Sequence, residues 1–139
     1  MSLENTTIVE ILDTFEFLDD WEDRYKYIID LGKKLPALSE TEMNDTYKVR
    51  GCQSQVWLVP DVDSEGRIHF RGDSDAFIVK GLVAVVLLIF SGKTAAEIRA
   101  TDGRAVLDQL GLASHLSPLR ANGLFSMVER IQAIAEDAE

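Results

Sequence analysis

The sequence predicts an α+β fold, a small antiparallel sheet packed against helices. Apolar residues recur at helical spacing toward both ends, the period shifts to two between residues 56 and 71, and the apolar segment 76–90 is too long for an ordinary strand. With 139 residues the chain is expected to form one domain over 1–139 with a sizeable core. No repeat, low-complexity tract or linker rich in Pro, Gly and Ser divides it.

Thr7 and Glu10 are spaced as a capping box, and Ile8, Ile11, Leu12, Phe15 and Leu18 follow at helical intervals. Asp19 and Asp20 offer caps for a second helix with Trp21, Tyr25, Ile28 and Ile29 on one face; Gly32 and Pro36 are expected to close it. Residues 37–47 are polar and read as a loop with at most one helical turn. Val56 to Val59 is β-prone, Pro60 to Gly66 is turn-like, and Arg67 to Arg71 places Ile68 and Phe70 on one face, which together make a hairpin. Thr46 to Arg50 is expected as another strand of that sheet.

The Asp73-Ser74-Asp75 stretch is expected to cap the segment 76–90. Its length decides for a helix against its many valines. Thr94 and Glu97 form a second capping-box pattern, Arg104 to Leu110 a helix ended by Gly111, and Ser117-Pro118 a strong helix start. The last helix directs Leu124, Met127, Val128, Ile131 and Ile134 to the core.

A formal net charge of −10 argues against nucleic acid and anionic membrane surfaces, which are bound through excess Lys and Arg. Segment 76–90 is interrupted by Lys80 and Gly81 and falls short of the ~18–20 apolar residues that span a bilayer. The amino terminus lacks the basic start and unbroken apolar stretch of a signal peptide. One cysteine cannot form an internal disulfide, so the chain is expected in the cytoplasm.

Ser91-Gly92-Lys93-Thr94 resembles the end of a phosphate-binding loop, but position 87 is leucine where that motif needs glycine. It reads as a helix-capping turn. His69 is expected on the solvent side of its strand and His115 in a loop; with one distant cysteine they show no metal-ligand spacing, so no metal and no resident cofactor is expected. A single thiol cannot by itself hold an iron–sulfur cluster.

Cys52 is the candidate functional residue. A lone cysteine is more often an inert small hydrophobe, but this one lies in Val-Arg-Gly-Cys-Gln-Ser-Gln-Val-Trp, between a glycine and three polar residues. Gly51 permits a sharp turn, Gln53, Ser54 and Gln55 read as loop positioning residues, and Lys48 and Arg50 favour the thiolate. Segment 76–90 and Trp57 are expected to offer an apolar shelter for the loop. Two rival readings stand beside this one: a stand-alone thiol enzyme with His69 or His115 as base, and an interaction module with an incidental thiol.

The stretches RGCQSQVWLV, GDSDAFIVKGLVAVV, LSPLRANGLFSMVERI and WEDRYKYIIDLGKKLP closely resemble the SufE family, from about Leu12 to Ala135. The resemblance implies a sulfur-acceptor protein, not itself an enzyme, with an α+β fold similar to the iron–sulfur scaffold proteins. Its implied partner is a SufS-like cysteine desulfurase, a pyridoxal-phosphate enzyme, and an iron–sulfur scaffold complex stands downstream. By the match Cys52 is the acceptor and transient persulfide, Asp75 affects partner engagement and Arg120 takes part in docking. Asp73 and Asp75 also read as helix caps, and for Asp75 the two roles are compatible.

Overall fold

A computed structural model describes residues 7–51 and 54–138. Helix α1 (Ile8–Phe17) begins where the Thr7 hydroxyl accepts the Glu10 N–H, and α2 (Trp21–Lys33) where the Asp20 carboxylate accepts the Glu22 N–H. Each bond satisfies a backbone donor that the first helical turn leaves without a partner.

Gly32 does not close α2. It is buried inside the helix, which runs to Lys33 with Lys34 as its C-cap. A Cβ on Gly32 would lie 2.6 Å from the Gly81 nitrogen, and one on Gly81 would lie 2.3 Å from the Ile28 carbonyl oxygen. The two glycines therefore let α2 and α3 (Phe77–Phe90) meet backbone to backbone. The helix assignment for the valine-rich segment holds, and its residues from Leu82 to Leu87 are all buried.

Strands β1 (Val56–Val62) and β2 (Arg67–Ser74) pair antiparallel from Val56↔Ser74 to Val62↔Ile68, and β3 (Lys93–Thr94) pairs with the other edge of β2. The expected turn is shorter than the sequence suggested. Pro60 to Val62 continue β1, where a proline is tolerated because β1 lies at the sheet edge. The segment 46–50 makes a single bridge, Lys48↔Trp57, in place of a full strand.

The two sheet faces have different covers. Val56, Leu58, Ile68 and Phe70 join the main core with α3, while Trp57 and Val59 pack on the opposite face with Leu38, Met43 and Tyr47. Segment 37–47 is thus a strap over the outer face, clamped where the Arg71 guanidinium donates to Glu42 and to Asp61.

The Asp-Ser-Asp stretch does not cap α3 as expected. Ala76 is the N-cap position and has no side-chain cap bond; Asp73 and Ser74 end β2. Thr94 and Glu97 form the complete capping box of α4 (Ala95–Ala100), so Ser91 to Thr94 is the anticipated capping turn with a short strand in it. Helix α5 (Gly103–Leu110) ends at Gly111 with φ +71°. His115 is not in a loop but ends the one-turn helix α6 (Leu112–His115). Ser117 caps α7 (Pro118–Asp137), which buries Leu124, Met127, Val128 and Ile131 and half-buries Ile134. Among the described residues no helix is long and apolar enough to cross a membrane.

Candidate functional site

The thiol falls in the connection 50–55, which is closed at its base by backbone bonds on one side and by a backbone-and-carboxylate pair on the other. On the entering side the Val49 N–H donates to the Val56 carbonyl at 2.8 Å and the Leu58 N–H to the Tyr47 carbonyl at 2.9 Å. On the leaving side the Gln55 N–H donates to the Asp75 carboxylate at 3.0 Å, and the Asp75 N–H returns to the Gln55 carbonyl at 3.3 Å. Asp75 therefore bonds a chain segment 20 positions away instead of the helix that follows it. Cys52 and Gln53 themselves lie outside the described residues.

Gly51 enters the connection with φ +88°, a conformation that L side chains rarely adopt. It also faces α7 at close range, since a Cβ there would lie 2.6 Å from the Ser126 hydroxyl oxygen. Ser54, on the far side of the thiol position, lines a cleft of about 70 Å³ between α3 and α7. Val79 and Leu82 supply its α3 wall, and Leu119, Arg120, Gly123 and Met127 its α7 wall. Trp57 packs on the other face of the sheet from α3; the expected shelter of Cys52 concerns a residue outside the described ones.

Arg120 stands in the first turn of α7 and is exposed. A cation in that position is opposed by the helix dipole, by about 0.3–1 kcal/mol at a surface site. Helix stability gives no reason for it there. Asp73, the neighbour of the Asp75 latch, is engaged by the Lys80 ammonium at 3.3 Å and accepts the Leu38 N–H at 3.4 Å, so it ties the start of the strap to the end of β2.

Both imidazoles are occupied elsewhere. His69 is half exposed, as expected, and its Nε2 meets the Asp63 carboxylate at 2.8 Å. That contact lies at the hairpin turn, the opposite end of the β1–β2 ladder from Val56 and Ser74. His115 stacks on Trp21 with ring centroids 3.9 Å apart and has Nδ1 2.9 Å from the Gly111 carbonyl oxygen. Among the described residues no group of three or more His, Cys, Asp or Glu side chains gathers in a way that could hold a metal ion.

Of the residues expected from the sequence, Gly51, Ser54, Gln55, Asp75 and Arg120 lie around one connection and one cleft. Sequence reasoning missed Ser126 and Gly123. The signal was available in the spacing: residues 119, 120, 123, 126, 127 and 130 fall on one face of a helix.

These features define a class, a small α+β protein whose candidate site lies where Gly51 and Ser54, on either side of the cysteine in sequence, approach the long helix α7. The family model described as SufE, an Fe-S metabolism associated domain, matches residues 9–135. An uncharacterised SufE-like protein of Rhizobium meliloti (strain 1021) is 51% identical over 134 residues, covering 94% of this chain and 96% of the relative. Another, from Rhizobium etli, is 54% identical over 130 residues, covering 91% and 88%. The solution structure of a hypothetical protein from Thermus thermophilus shares the fold, with a TM-score of 0.75 at 22% identity and 94% of each chain covered. The chain belongs to the SufE family, and its role is that of an accessory protein in Fe–S metabolism.

Proposed function

We propose that this protein accepts sulfane sulfur on Cys52 from the persulfide of a SufS-like cysteine desulfurase, stimulates that enzyme, and passes the sulfur to an iron–sulfur scaffold complex in the cytoplasm. The observation that carries the reading is the seat of the thiol-bearing connection. Both of its shoulders are fixed, at Gly51 and at the Gln55–Asp75 pair, beside a cleft lined by Ser54 and the Arg120 side chain. A carrier needs a nucleophile presented on a short, positioned segment, and family membership supplies the chemistry in which such a thiol would act.

The transfer is a thiol exchange. The Cys52 thiolate attacks the outer sulfur of the partner's persulfide, the partner's S–S bond breaks, and its cysteine leaves as a thiolate. A new S–S bond on Cys52 carries the sulfur, the number of S–S bonds is unchanged, and no outside oxidant or reductant takes part. In this reading Gly51, Gln53, Ser54 and Gln55 position the thiol, Asp75 anchors the leaving side of the connection, and Arg120 docks the desulfurase.

Mass spectrometry after incubation with a desulfurase and free cysteine tests the proposal. Cys52 should gain about 32 Da per sulfur atom, and thiol reductant should remove the gain because sulfane sulfur exchanges with thiols. Equal labelling of a Cys52→Ser variant would sink the assignment. Unchanged affinity of Arg120→Ala for the desulfurase would remove Arg120 from the site.

A further inference from the structure

Resting on the acceptor reading, we propose that Arg130 is a positioning residue for sulfur uptake, holding the segment that leads into the thiol connection against α7. Its Nη2 donates to the Thr46 carbonyl at 2.8 Å, joining positions 84 apart in sequence. Thr46 immediately precedes the ladder at Tyr47 to Val49 from which the connection springs. One helical turn earlier, Ser126 abuts Gly51. A single face of α7 thus touches the entering arm at its root through Arg130 and at its tip through Ser126.

The strap 37–47 explains why that contact matters. It is tied at its start by the Asp73 carboxylate accepting the Leu38 N–H and in its middle by the Arg71–Glu42 pair. Arg130 supplies the tie at its end, just before the backbone bonds at Tyr47 and Val49 that lead into the thiol connection. The Nε of the same guanidinium is buried and has no hydrogen-bond partner among the described residues. A buried donor without a partner costs stability. Methionine would keep the packing of the side-chain stem and remove the donor to the Thr46 carbonyl, which makes it the substitution that isolates this contact.

The test compares the unaltered protein with Arg130→Met and Arg130→Lys, measuring the rate of sulfur gain on Cys52 at saturating desulfurase so that weaker docking does not imitate the effect. Hydrogen exchange of each free protein is followed in parallel. Losing one exposed hydrogen bond of ordinary net value should slow uptake by R130M about two- to tenfold. Exchange should rise in the peptide over residues 44–51 while β2 and α3 stay protected. R130K, which retains a cationic donor, should recover part of the rate. Equal rates for R130M and the unaltered protein overturn the proposal, and so does a slower R130M whose exchange rises uniformly. If the unaltered protein gains no sulfur, the acceptor reading falls and this proposal with it; if it gains sulfur and R130M matches it, this proposal alone falls.

Discussion

Gln55 and Asp75 exchange two hydrogen bonds, one from the Gln55 N–H to the Asp75 carboxylate at 3.0 Å and one from the Asp75 N–H to the Gln55 carbonyl at 3.3 Å. The pair extends the β1–β2 ladder one step past Val56↔Ser74 with a side chain standing in for backbone. It fixes where the thiol-bearing connection ends.

Asp75→Ala removes the carboxylate acceptor and leaves the return bond. Because the site is exposed, global stability should change by no more than about 1 kcal/mol. Asp75→Asn keeps an acceptor oxygen and should stay nearer the unaltered protein. The expected signature is faster hydrogen exchange over residues 51–56 in D75A, with a melting temperature close to that of the parent. Unchanged exchange there would show that the connection is held without Asp75.

Gly51→Ala should disturb the same connection from its other shoulder. A φ of +88° costs an L-residue about 1–2 kcal/mol, and the added methyl group meets the Ser126 hydroxyl oxygen. Ser126→Ala removes the steric part and leaves the backbone part. In a double-mutant cycle scored by denaturant unfolding, the double variant should therefore be more stable than the sum of the single effects. Strict additivity would show that Ser126 does not confront position 51.

Gly81→Ala decides between two opposing effects. Alanine is favoured over glycine inside a helix by about 1 kcal/mol. Here its Cβ would fall 2.3 Å from the Ile28 carbonyl oxygen, a backbone atom that cannot turn aside. Forced separation of packed elements costs about 1–3 kcal/mol or more, so the variant should be destabilised. At about 2–4 °C per kcal/mol for a chain near this size, calorimetry would register the loss; a raised melting temperature would refute the close approach.

Acid should weaken the strap through Glu42. Its hydrogen bonds with Arg71, and then with the Ser39 N–H, lower its pKa from an ordinary 4.5 to about 2. A carboxylate with a depressed folded-state pKa contributes stability above its unfolded value and loses it as pH falls through the folded one. The loss from Glu42 accordingly runs from about pH 4.5 down to about 2. Asp63, lowered chiefly by the His69 hydrogen bond, loses its contribution as pH falls below its ordinary 3.8. Unfolding curves of Glu42→Gln should thus show a shallower acid limb than the parent, and Asp63→Asn should flatten it further. An identical limb in Glu42→Gln would mean that the Arg71 pair does not persist in solution.

Local sequence by itself determined the α+β class, the caps at Thr7, Asp20, Thr94 and Ser117, the αL stop at Gly111 and the helical state of 76–90. Each rests on interactions within a turn or two of chain, or on a periodicity visible in one dimension. The motif around Cys52 and its likeness to the SufE family were legible for the same reason. Tertiary structure decided what the glycines and carboxylates do. Gly32 looked like a helix stop, yet it is the contact point for Gly81 in another helix; Asp75 looked like a cap, yet its partner is Gln55. Trp57 was grouped with segment 76–90, yet it packs with Leu38 and Val59 on the other sheet face, because a two-residue period says which residues share a side but not which cover lies over it. Ser126 and Arg130 acquire meaning only when α7 is laid against the arm of the thiol connection. A close approach or a long-range hydrogen bond belongs to a pair of residues, and local sequence specifies only one member at a time.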